Sequence, residues 1–121
     1  MSIVRTILTT FFISFLLLAP GSAPRDVRAS PLSSSTILIQ WETPEIPNGI
    51  ITEYNVYYTL NPNTDLSSWF KYTVEDNNQR LTTISGLVTM QIYSVSVSAS
   101  TNEGEGPASS AVQVKTQLRG L

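Results

Sequence analysis

Carboxylates are the groups in this chain best suited to chemistry near neutral pH, and they fall in pairs: Glu42 with Glu45, Glu75 with Asp76, Glu103 with Glu105. Two carboxylates can share general acid and base roles at a glycosidic bond, or hold a hard cation. Each pair here sits among turn-forming residues. Glu42 and Glu45 flank Pro44, Glu75-Asp76 precede two asparagines, and Glu103 and Glu105 alternate with Gly104 and Gly106. Acids in such stretches are ordinarily solvated, whereas a working pair needs burial that separates two pKa values. The spacing also lacks the alternating oxygen ligands of a calcium loop. The chain has no histidine and no cysteine. It therefore lacks an imidazole base for a serine nucleophile, a nitrogen or sulfur set for zinc, and a disulfide frame.

Recognition chemistry is better represented. Trp69, Phe70 and Tyr72 put three aromatic side chains close together, a composition found at the centres of protein interfaces. The turn from Asn102 to Pro107, with Glu103 and Glu105, is a loop that a rigid scaffold can present to a partner. Its two glycines resemble a phosphate-cradling turn only superficially, because no helix follows them. The basic residues Arg25, Arg28, Lys71, Arg80, Lys115 and Arg119 are scattered, against the clustered patch of a nucleic-acid binder. No Asn-x-Ser/Thr acceptor and no Arg-Gly-Asp tripeptide occurs.

What must position these groups is a set of strands. Tyr93, Val95, Val97 and Ala99 alternate with Ser94, Ser96 and Ser98, the period of a strand with one apolar face. The serine face reads as plain solvent surface. Leu87 lies before it across a short polar link, and a Gly-rich turn follows. Residues 24–29 form a first strand and residues 37–41 a second, with Trp41 inward. Pro44, Pro47 and the Asn48-Gly49 pair make the next stretch a loop. Residues 51–60 form a third strand, with Tyr54, Val56 and Tyr58 inward and Asn55, Tyr57 and Thr59 outward. Residues 69–74 form a fourth whose facing periodicity leaves open, since both faces carry aromatics. Residues 81–85 and 111–116 complete seven short strands with no amphipathic helix. That pattern is an all-β, immunoglobulin-like antiparallel β-sandwich. Its expected core holds Trp41, Tyr54, Val56, Leu87, Tyr93, Val95 and Val97.

The first 23 residues differ from the rest. Arg5 precedes an apolar run over residues 7–18, and small residues follow at Ala19, Gly21, Ser22 and Ala23. This is the layout of a secretory signal peptide or hydrophobic leader, too short for the ~20 apolar residues of a spanning helix. Cuts are expected after Ala19 or Ala23, although a proline follows each. The division is then leader 1–23, domain 24–117 and tail 118–121. Past the leader, six basic residues face nine acidic ones.

Trp41, the Tyr54-x-Val56-x-Tyr58 run, Leu87 six before Tyr93, and then Val95, Val97, Ala99, Asn102, Gly104, Gly106 and Ser109 resemble a fibronectin type III domain. The resemblance implies that Tyr93 is a tyrosine corner whose hydroxyl returns to nearby backbone. Thr89 and Gln91 depart from the proline and threonine common there, which implies a less rigid corner link. Residues 19–27, the Leu32-to-Thr36 run, Tyr57-Tyr58-Thr59 and residues 114–117 further resemble a fibronectin domain of the leukocyte-antigen-related receptor tyrosine phosphatases. That family carries immunoglobulin and fibronectin domains, one membrane span and cytoplasmic phosphatase domains, and acts in adhesion and synapse organisation. The likeness begins at Ala19, so residues 1–18 would stand where upstream domains stand in that family. The phosphatase motif needs a nucleophilic cysteine, so that activity is not carried over.

The expectation is a non-catalytic extracellular interaction or adhesion module with no cofactor and no nucleic acid. It would be secreted or held on the outer side of the cell membrane, touching the membrane only through an uncleaved leader. Its partners would be cell-surface proteins, with Trp69, Phe70, Asn102, Glu103 and Glu105 as contacts. A passive spacer without a partner and a small secreted hydrolase using the turn acids are the alternatives.

Overall fold

The structure, a computed structural model, describes residues 18–117. Most of the expected leader, residues 1–17, and the tail 118–121 lie outside the described residues. Among the described residues no helix is long and apolar enough to cross a membrane.

Two antiparallel sheets face each other. The smaller has the order β1-β2-β5, formed by Arg25–Pro31, Ile37–Glu42 and Leu81–Ile84. The larger runs β4-β3-β6, from Phe70–Val74, Glu53–Thr59 and Ile92–Thr101. β6 also pairs with the two-residue β7, Gly104–Glu105, near its end and with β8, Val112–Lys115, near its start. β7 is thus an eighth strand beyond the seven expected.

The register defines two poles. Arg25 pairs with Glu42, and Glu53 with Ser100, at the upper pole. Ile37 pairs with Ile84, and Thr59 with Ser94, at the lower pole. Asn48 takes a left-handed φ of 56° in the loop joining β2 to β3, a conformation asparagine tolerates better than most residues.

The core between the sheets contains Ile37, Ile39, Trp41, Tyr54, Val56, Val74, Ile84, Leu87, Tyr93, Val95, Val97, Ala99 and Val114, all buried. The rings of Trp41 and Tyr54 meet at 5.3 Å with a 53° tilt, an arrangement that suits aromatic quadrupoles. Val74 joins this core, so Phe70, Tyr72 and Val74 share the inner side of β4 and Lys71 points outward over the Tyr57 ring. The third dipeptide step, however, ends differently from expectation: Tyr58 is only half-buried.

The far face of the larger sheet departs from the sequence reading. Ser94, Ser96 and Ser98 are 1%, 3% and 1% exposed, so they are no solvent surface. Asn55, Tyr57 and Thr59, expected outward, are buried as well. The cause is height. Each serine is a short side chain with a taller neighbour: Ser98 lies opposite Asn55, Ser96 opposite Tyr57, and Ser94 opposite Gln113. Asn55 Nδ2 donates to Ser98 Oγ at 3.2 Å and Ser100 Oγ at 3.1 Å, while its Oδ1 accepts from Thr73.

The corner at the lower pole closes as a hydrogen-bonded knot. Tyr93 Oη accepts from the Val88 amide at 2.9 Å. Leu87 donates its amide to Ser35 O of the opposite sheet's β1–β2 turn. Thr116, fully buried, donates its hydroxyl to Val88 O at 2.7 Å and accepts from the Gln91 amide at 3.0 Å. Met90, held at φ 59°, donates to Thr116 O. Thr116 therefore braces the link where Thr89 and Gln91 implied slackness.

Denaturant unfolding checks these assignments. Trp41→Ala and Tyr93→Ala are each expected to cost about 3–5 kcal/mol as large-to-small core changes. Tyr93→Phe removes only the bond to Val88 and is expected to cost about 1 kcal/mol. Tyr54→Phe costs less than that, because the Tyr54 hydroxyl has no hydrogen-bond partner among the described residues.

Candidate interaction surface

The turn acids do not assemble. Glu42 lies 3.7 Å from Arg80 in a loose, exposed ion pair. Glu45, Glu75, Asp76 and Glu103 are exposed in separate turns. Among the described residues no three metal-ligating side chains come together.

Glu105 is the exception, and its position corrects the reading of it as a free turn acid. β7 places its carboxylate over the far face of the larger sheet, where Tyr57 Oη and Ser98 Oγ both donate to it. Burial works to raise its pKa, but the bonds from Ser98 and Tyr57, the Lys71 charge and Asn55 outweigh that and leave the carboxyl below its ordinary value. Burial together with the Glu105 carboxylate pushes the Tyr57 phenol up to about 12. This cluster holds the β6–β7 hairpin against the sheet. Asn102 and Glu103 at its tip remain exposed.

The expected aromatic contacts divide. Trp69 is not on β4. It follows a short 3-10 turn, Leu66–Ser68, and its indole donates to Thr64 O at 3.1 Å. That bond makes it a brace for the β3–β4 loop. Phe70 opens β4 and is 66% exposed, with its ring stacked on Tyr58 at 5.4 Å. Tyr72, two residues on, is exposed on the same side. β4 is an edge of the larger sheet and β5 an edge of the smaller one, so the sandwich is open along this side.

At the lower end of that opening lies an apolar cleft of about 450 Å³. Tyr58, Phe70 and Tyr93 supply its aromatic walls, and Leu60, Leu87 and Val88 its aliphatic ones. None of its lining residues is charged. Sequence reasoning found Phe70 but missed Tyr58, Leu60 and Val88. Tyr58 follows the inward alternation but stays half-buried, lying between the Phe70 and Tyr93 rings.

A two-sheet sandwich of this topology with a tyrosine corner defines a class, and the comparison with protein families agrees. The sequence model described as "Fibronectin type III domain" matches residues 22–115, and the chain belongs to that family. Such a domain is a non-catalytic module.

Its relatives narrow the group further. The chain is 50% identical over 99 residues to chicken (Gallus gallus) receptor-type tyrosine-protein phosphatase S, covering 82% of this chain and 6% of that protein. It is 52% identical over 96 residues to Drosophila melanogaster tyrosine-protein phosphatase Lar, covering 79% of this chain and 5% of that protein. The chain thus spans about one-twentieth of the length of these relatives, and the match lies in a fibronectin region. Among solved structures, the FN5 domain of Drosophila Lar is 33% identical with a TM-score of 0.64, covering 82% of this chain and 98% of that one. The FN1–FN3 domains of chicken CNTN1 are 26% identical with a TM-score of 0.70, covering 83% of this chain and 33% of that one.

The Glu105 cluster predicts a pH dependence. A carboxyl held ionised more firmly when folded contributes fully above about pH 5, and less as the pH falls through its lowered value. The stability gap between wild type and Glu105→Gln is expected to be widest near pH ~7 and to shrink toward pH ~3 in denaturant titrations. A gap that stays constant across that range would count against the assignment. Tyr57 works in the opposite direction: its contribution is complete below 10 and fades as the pH rises toward about 12.

Proposed function

We propose that this chain is an extracellular protein-interaction module of a receptor-phosphatase-like cell-surface protein, and that it contacts a protein partner through the open side of the sandwich. The observation that carries this reading is the exposed pair Phe70 and Tyr72, with Phe70 stacked on the half-buried Tyr58, beside the uncharged cleft. Exposed aromatic side chains on an edge strand are costly to leave in water and mark interface centres. The identity to receptor-type phosphatases supports the extracellular setting, secreted or at the outer face of the membrane.

A spacer role is favoured by a different observation. The described chain begins at the upper pole, near Thr101, and reaches Thr116 at the lower pole beside Val88. A pure spacer needs that geometry and no partner.

One experiment separates the two. The purified chain, displayed as a tetramer, is titrated onto cells. An interaction module gives saturable binding that Phe70→Ala reduces at least ~10-fold, an interface anchor's typical effect. The melting temperature stays nearly constant, because Phe70 is largely solvent-exposed. Background binding alone would support the spacer, and saturable binding indifferent to Phe70→Ala would move the contact elsewhere.

A further inference from the structure

The upper pole of a sandwich is formed by its turns, and turns are where a scaffold usually recognises partners. Here two of those turns are already engaged by the chain itself. The Thr101 hydroxyl donates to Leu18 O at 2.9 Å. The Asn48 side-chain Nδ2 donates to Ala19 O at 3.2 Å. Gly21 donates its amide to Ile46 O at 2.8 Å, and the Ile46 amide donates to Ser22 Oγ at 2.9 Å.

The packing is as specific as the bonding. Pro20 is buried, as is Pro24. A Cβ on Gly106 would lie 2.7 Å from Pro20 Cβ and from Pro20 O, a distance real Cβ atoms do not adopt. A Cβ on Gly21 would lie 3.0 Å from both Asn48 Nδ2 and Ile46 Cγ2. The chain therefore runs closest at Gly106, where Pro20 backbone leaves no room for a Cβ, while at Gly21 the tight neighbours are the Asn48 and Ile46 side chains. A domain boundary drawn at Pro24 leaves this packed segment out.

We infer that the upper-pole turns around Ile46–Asn48 and Thr101–Gly106 form an intramolecular docking surface whose occupant is the chain's own segment 18–24. The segment is a strap. It ties the β2–β3 turn to the β6–β7 hairpin and fixes the direction in which the polypeptide arrives at the sandwich. The direction of residues 18–24 is then set by the turns they cross. The inference does not depend on the identity of any partner at the open side.

Amide hydrogen exchange by NMR on the full chain tests it, with Gly21 and Ile46 as reporters and the amides of β2 and β3 as controls for folding. A docked strap slows exchange at Gly21 and Ile46 at least ~10-fold relative to an unstructured amide. Gly106→Ala, which drives a methyl into Pro20, is expected to remove the Gly21 protection while β2 and β3 stay protected. Should that variant lose protection throughout, Ser22→Ala decides. It deletes the acceptor of the Ile46 amide, and a selective loss of protection there supports the strap. Gly21 exchanging at the unstructured rate in the unaltered chain would overturn the inference, as would Ile46 protection unchanged by Ser22→Ala.

Discussion

A strand buried on both faces must satisfy every polar atom it carries, and β6 is such a strand. One face enters the core through Tyr93, Val95, Val97 and Ala99. The other is a line of serines with little access to water. An unsatisfied buried hydroxyl costs about 1–3 kcal/mol, so the serines require partners. Asn55 serves Ser98 and Ser100, Ser109 O takes the Ser96 hydroxyl, and Glu105 takes that of Ser98. The hairpin that supplies Glu105 is the turn the strap crosses at Gly106. Satisfying one strand therefore fixes the hairpin, and the fixed hairpin gives the strap a place to lie.

The two poles are finished by different chemistry. The upper pole closes with hydrogen bonds between backbone and short polar side chains, with proline and glycine allowing the close approach. The lower pole closes with a tyrosine and a threonine tied to one short link. The apolar cleft walled by Tyr58, Phe70 and Tyr93 lies on the side where a three-stranded sheet faces a larger one.

Much of this was legible in the residues, for reasons of period. Core positions such as Val95 and Val97 announce themselves because a strand returns to the same face every second residue. The serine face was misread because polarity usually reports water. Here the serines are sheltered by neighbours on strands far away in sequence, and no local window contains both Ser98 and Asn55. Asn55 did carry a signal, since asparagine is disfavoured inside strands and its presence there asks for a bonding role. Thr116 carried none, its importance arising only when β8 brings it beside the corner link. The same applies to the interaction surface. Phe70 was visible as an aromatic of ambiguous facing, whereas Tyr58 became part of the cleft by lying between the Phe70 and Tyr93 rings. The strap carries no local signal either, since its partners Ile46, Asn48, Thr101 and Gly106 lie far along the chain.

The opposed poles also give the module a mechanical character. Tension along the chain reaches β1 only after crossing the strap, and leaves β8 only after crossing the Thr116 bonds to Val88 and Gln91. Each end therefore has its own clasp in series with the sheets. A pull on either end is thus borne by a few hydrogen bonds in series before it reaches the strand ladders.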